Sequence, residues 1–175
     1  LGLKTPPQRV VANKLFIQIA EAARNPVFYE AYHVPDTVEG RFDMIVLHMV
    51  PALERMRPHD SDGLYGQALF DAMVSNLDDN LREMGVGDTR VGKRVREFAE
   101  VFYGRAKVYR EALEADDQAA LTDAVGRNVY GDPVAPHAAA LADYLRESAQ
   151  MGEDDLESLQ TGQLAFPDPT ERITP

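Results

Sequence analysis

Apolar residues recur at helical spacing along almost the whole chain, and no other feature limits the possible folds so strongly. Val11, Leu15, Ile19 and Ala22 share one face of a helix over about 8–24, which Asn25-Pro26 interrupts. A short helical turn through Phe28–Tyr32 follows. Asp36 reads as an N-cap, with Glu39 three residues on in capping-box position. The helix it opens, about 37–57, aligns Phe42, Ile45, Val46, Met49, Leu53 and Met56, with Pro51 inside as an expected kink. Residues 57–63 form a loop. Leu64 to Met84 is a long helix with Phe70, Val74, Leu77, Leu81 and Met84 on one face. Gly85 suits the left-handed stop and Val86 its apolar contact. Asp88 or Thr89 then caps a helix over about 89–115, striped by Val91, Val95, Phe98, Phe102, Tyr109 and Leu113. Weaker helices are expected over about 117–129, 135–150 and 153–161.

Nothing in the chain alternates with the period of a strand, so the expected fold is all-α. Long amphipathic helices on short loops favour a compact antiparallel bundle of about six to eight helices. Residues 1–162 read as one helical domain. Residues 163–175, with three prolines and little periodicity, read as a tail or a segment draped over it. At 175 residues the chain can bury roughly 70% of the surface that its unfolded form exposes. A core is therefore available without disulfides, and there is no cysteine to make one or to act as a thiol nucleophile. No apolar run approaches the ~20 residues that span a bilayer.

The net charge of −11 is unevenly spread. Residues 116–175 hold 3 basic against 12 acidic side chains, which accounts for −9 of it. Such a balance argues against general nucleic-acid binding, DNA included. Only the middle of the chain offers a basic surface. Arg90, Lys93, Arg94 and Arg96 fall in the first turns of a helix, where positive charge opposes the macrodipole at roughly 0.3–1 kcal/mol per terminal charge. They either lace the helix with i,i+4 pairs such as Lys93–Glu97, Arg96–Glu100 and Lys107–Glu111, or bind an acidic partner, a ribosomal surface or anionic headgroups. Arg94 and Arg105 lie nearer the apolar stripe, within expected reach of Asp43 or Asp71.

No pair among His33, His48, His59 and His137 has metal-ligand spacing. His48 sits one step from an apolar stripe and reads as a structural histidine bonded to a neighbouring helix. Phosphate-loop, dinucleotide and nucleophile-elbow motifs are absent from the sequence. Asp78-Asp79 would suit magnesium–diphosphate chemistry of the isoprenoid-synthase kind only with facing acidic clusters and a large apolar cavity, and DDNLRE lacks the second spaced aspartate. Met44, Met49, Met56, Met73 and Met84 fall mostly on core stripes, although methionines also line adaptable client grooves.

Seven short pieces occur together in order: Pro26-Val-Phe-Tyr29, Asp36-Thr-Val-Glu-Gly-Arg-Phe-Asp43, Leu47-His48, Ala68-Leu-Phe-Asp71, Leu81-Arg-Glu-Met-Gly-Val-Gly-Asp88, Val91-Gly-Lys-Arg94 and Phe102-Tyr-Gly-Arg105. In these, and over about residues 10–150, the chain resembles the ubiquinol–cytochrome c chaperone family, assembly factors of the cytochrome bc1 complex. The resemblance implies an all-helical binding protein with no catalytic residues and no cofactor. Its implied partner is cytochrome b or an early bc1 assembly intermediate, together with a small partner protein or the ribosome. The implied location is cytoplasmic and peripheral to the inner membrane, on the matrix side in a mitochondrion. Polar residues inside the matching pieces are the implied contacts: Arg41, Asp43, His48, Asp71, Arg82, Glu83, Lys93, Arg94 and Arg105. An all-α enzyme on isoprenoid-like substrates and a generic helical interaction module are the alternatives.

Overall fold

The computed structural model describes residues 7–151 and 156–172. Among the described residues eight α-helices carry the chain: α1 (Pro7–Ala23), α2 (Pro26–Glu30), α3 (Val38–Met56), α4 (Leu64–Glu83), α5 (Asp88–Glu114), α6 (Gln118–Val125), α7 (Ala138–Gln150) and α8 (Leu156–Thr161). Among the described residues there is no strand. The structure is all-α, as the periodicity requires. Residues 153–155 of the expected last helix lie outside the described residues.

Local chemistry sets the ends of these helices. Asn25 caps α2 by accepting from the Val27 N–H at 3.0 Å. The α3 cap is Thr37, one residue later than Asp36, because its Oγ1 accepts from the Gly40 N–H at 3.0 Å. Asp36, released from capping, takes Arg41 instead at 2.6 Å. Gly40 is required here, since a Cβ would lie 1.9 Å from the Pro35 carbonyl oxygen. The loop can lie on the first turn of α3 only because that side chain is missing.

Helix α4 ends as expected. Gly85 adopts φ +81, its N–H bonds the Arg82 carbonyl at 2.9 Å, and the Val86 N–H returns to Leu81 at 3.0 Å. Gly87, not Asp88 or Thr89, precedes α5 and offers no side chain to cap it. Asp88 becomes the acidic residue of the first turn. Further on, α6 stops at Val125 and the chain widens into a π turn over Gly126–Tyr130. The next helix waits until Ala138, after Pro133 and Pro136.

Helix α3 is the spine. It packs against α1, α5 and α7, while α4 lies on α1 and α5, and α6 on α5 and α7. It continues through Pro51, which removes only the N–H that would have bonded Leu47. Thirteen of its nineteen residues are buried, three of them bearing polar or charged side chains that point to different neighbours. Asp43 pairs with Arg105 of α5. His48 sits among Phe28, Tyr144 and Phe166. Its Nδ1 lies 2.7 Å from the Met44 carbonyl, so it carries the proton, and Nε2 accepts from the Tyr144 hydroxyl at 2.9 Å. Arg55 donates to the carbonyl of Ala165 at 2.7 Å.

That last bond belongs to the C-terminal segment, which is draped over the helices. Leu164, Pro167 and Pro169 are buried, the Leu164 N–H bonds Gln18 at 2.9 Å, and the Tyr32 hydroxyl bonds the Pro169 carbonyl at 2.7 Å. Of the methionines, Met44, Met49, Met56 and Met73 are core, and Met84 is 60% exposed.

Burial drives the His48 imidazole down to about 4 from its ordinary 6.5. Above pH 6.5 the ring is neutral both folded and unfolded, so its titration contributes nothing. Below that, the unfolded chain binds a proton that the folded one refuses, and stability falls as pH drops towards 4. The slope reaches about 1.4 kcal/mol per pH unit. Chemical denaturation between pH 7 and 5, above the range of ordinary carboxylates, should therefore show a loss of roughly 2 kcal/mol that His48→Gln abolishes. A second prediction concerns Asp43. Asp43→Asn should cost roughly 3–5 kcal/mol by leaving Arg105 without its charge partner, whereas the double change Asp43→Leu with Arg105→Met should recover most of that.

Candidate functional site

The four helix ends around the start of α3 do not close over one another. Ala23 and Arg24 at the end of α1, Tyr29 of α2, the first turns of α3, the last turns of α4 and Phe98 of α5 line a groove of about 430 Å³. Phe42 and Phe98 form its floor, buried and with ring centres 4.6 Å apart. Val38, Ile45 and Leu77 are half-buried walls, and Met84 stands at the lip. Sequence periodicity assigned Phe42, Ile45, Leu77 and Phe98 to core stripes. They pack into the core on one side and line the groove on the other.

Met84 also borders a second depression of about 590 Å³, completed by Gly85, Val86, Gly87, Arg90, Lys93, Arg94 and Glu97. The two hollows thus form one surface with an apolar half and a charged half. Arg94 is largely engaged there. Its guanidinium lies 3.2 Å from Glu39 of α3, 3.1 Å from Glu97, and 5.1 Å above the Phe98 ring. Those two carboxylates hold its pKa above the ordinary arginine value. Lys93 is 3.9 Å from Glu97 with its side chain 73% exposed, and Arg90 makes no ion pair among the described residues. Charge placed against the α5 dipole is therefore only partly compensated within the fold. At the opposite rim Arg41 holds Asp36 below the usual carboxylate range through their hydrogen bond.

Of the nine candidates, Arg41, Glu83, Lys93 and Arg94 line this composite surface. Arg82 lies beside it, tied to Asp78 at 2.6 Å and to Asp88. Asp71 belongs elsewhere, in a hollow between α1 and α4, bonded to Gln67 at 2.8 Å. Asp43 and His48, two of the candidate contacts, lie in the interior, and Arg105 is partly buried against Asp43. Asp43 is 5% and His48 0% exposed, and Arg105 is spent on Asp43. Arg94 pairs with Glu39 and Glu97, not with Asp43 or Asp71, because it lies about three turns before Arg105 along α5.

Arg24, one residue past the end of α1, also lines the groove but belongs to none of the matching motif pieces. Asp78 and Asp79 stand outside the groove, and Asp78 is neutralised by Arg82. Among the described residues no three His, Cys, Asp or Glu side chains converge on a metal position. Nor is any described helix long and apolar enough to cross a membrane.

Known proteins share this architecture. The crystal structure of the Cbp3 homolog from Brucella abortus matches it with a TM-score of 0.80 and 35% sequence identity, over 94% of this chain and 93% of that one. The ubiquinol-cytochrome-c reductase complex assembly factor 1 of Xenopus laevis is 24% identical over 165 residues, 90% of this chain and 81% of that protein. The Ubiquinol-cytochrome C chaperone model matches residues 30–163, from the end of α2 past α8, and so takes in all of α3, α4 and α5 that shape the groove. On that match and those relatives, the chain belongs to the ubiquinol–cytochrome c chaperone family.

Proposed function

We propose that this chain is an assembly chaperone of the ubiquinol–cytochrome c reductase (bc1) complex, and that its client is cytochrome b. The observation that carries the reading is the composite groove, with an apolar floor and lip beside partly unpaired basic charge, in a chain of this family. A newly made membrane subunit presents apolar segments that water penalises by about 25 cal/mol per Å² of exposed surface. Phe42, Leu77, Met84 and Phe98 offer such a segment a dry surface, and a thioether at the lip adapts to differing side chains.

Arg24, Arg41, Glu83, Lys93 and Arg94 form the polar border, which contributes orientation and encounter rate more than raw affinity. The groove's polar side chains are ion-paired, bonded to one another as Asn80 is to Asn76, or stand at its rim, an arrangement suited to recognition without chemistry on the client. Holding and releasing a segment needs only that the chaperone bind the unassembled subunit better than the assembled one. A membrane-protein client places the chaperone at the inner membrane as a peripheral protein, on the side where the subunit is made. A small partner protein or the ribosome would meet it there.

Deleting the gene should lower assembled bc1 complex and cytochrome b together. Normal levels of both would refute the assignment. Reintroducing the protein with Met84→Glu should fail to restore them while leaving the melting temperature within the small range of a surface substitution, because Met84 is 60% exposed.

A further inference from the structure

Pro167 and Pro169 bring no N–H to the C-terminal segment, so its carbonyls are the main polar handles that an enclosing surface can use. The surface beneath it uses them. Gln18 of α1 donates to the Gly162 carbonyl and accepts the Leu164 N–H at 2.9 Å. Arg55 of α3 donates to the Ala165 carbonyl and Tyr32 to that of Pro169, both at 2.7 Å. Residues 163–168 form neither helix nor strand, and these bonds hold them in place. Leu164, Pro167 and Pro169 are buried, while Ala165 and Asp168 point to solvent. Phe166 lies edge-on to His48, with ring centres 4.9 Å apart, and Phe28 and Tyr144 line the surface beside it. An aromatic-lined surface is what proline-bearing segments dock on when one protein recognises another. Here the fit is incomplete. A hollow of about 290 Å³ remains, bounded by Glu21, Ala22 and Asn25 and by the segment's own Leu164, Phe166 and Pro169.

We propose that this surface is a second recognition site, for an extended proline-bearing segment of another protein, and that residues 164–169 occupy it as an internal ligand until such a segment displaces them. None of the residues that line its hollow lines the composite groove, so the site stands apart from the client reading. The bonds from Gln18, Arg55 and Tyr32 all go to main-chain atoms, which any segment of this kind offers. The Arg172–Glu147 ion pair, by contrast, reads a side chain of the resident. Tethering gives the resident a high effective concentration, which an incoming segment must match. Larger apolar side chains do so by filling the hollow that the resident leaves. A second copy's own C-terminal segment would gain no such contact, which favours a different protein.

The test uses the full chain and two labelled peptides, read by fluorescence anisotropy. One peptide repeats residues 162–172, and the other is the same with Leu164→Phe. Leu164→Asp in the full chain weakens the resident without touching the surface beneath it. That variant should bind the first peptide about tenfold or more tightly than the unaltered chain does, because more of its sites stand open. Both chains should prefer the phenylalanine peptide, and Gln18→Ala with Tyr32→Phe should weaken binding of either peptide. Equal binding by the unaltered and Leu164→Asp chains would place the peptides elsewhere and overturn the proposal. So would a Leu164→Asp chain that keeps its helical circular dichroism and binds neither peptide. If that variant loses its helical signal, Phe166→Ala replaces it, and loss of the signal there too would make the segment part of the core and overturn the proposal. Tighter binding of the chain's own sequence, with concentration-dependent dimers of the unaltered chain, would assign the site to a second copy and overturn the choice of partner.

Discussion

The structure depends on how α3 is buried. A helix enclosed by three others ordinarily carries only apolar residues, and this one brings Asp43, His48 and Arg55 inside. Each costs desolvation, and each is offset by a partner on a different element: Arg105 on α5, Tyr144 on α7, and the Ala165 carbonyl in the C-terminal segment. Close packing of its apolar residues already resists sliding or rotation of this helix. Three polar contacts pointing three ways hold it in one register. His48 is the strictest of them, because a fully buried imidazole must stay neutral to accept the Tyr144 hydroxyl.

Fixing α3 in turn fixes the groove. Its first turns form one wall, its Glu39 ties Arg94 across to α5, and Gly40 lets the preceding loop fold tightly enough to bring Arg41 to the rim. The Schellman stop at Gly85 ends α4 beside the groove, with Leu77 half-buried in its wall, Phe98 buried at its floor and Met84 exposed. The apolar hollow and the open start of α5 therefore meet at the same helix stop. A recognition surface of this kind needs no motif of its own, and for that reason its chemistry is hard to read from residues alone.

Helix content, the Gly85 stop and the identity of most core residues were legible because each depends on local spacing. The cap at Thr37 was missed by one residue, since Asp36 and Thr37 are both good caps and it is the Thr37 Oγ1 that takes the Gly40 N–H. The site was less legible. Polar residues within the matching motifs mixed two populations, and although spacing put both Arg94 and Arg105 within reach of Asp43 or Asp71, it could not tell that Arg105 pairs with Asp43 while Arg94 stands at the groove. Basic charge set against a helix dipole was the informative signal, because it marks charge that the fold itself does not fully compensate. Phe42 and Phe98 looked like ordinary core from the same periodicity. Only the three-dimensional end of α4 shows that they also face a hollow.

Site-specific photo-crosslinking tests the groove as the client site most directly. A photoreactive residue at Met84, at the meeting point of the apolar and basic halves, should yield an adduct with cytochrome b while the complex is being assembled. The same probe at Val134, 82% exposed and outside the groove, should not. Adducts with cytochrome b from position 134 and none from position 84 would contradict this placement of the client.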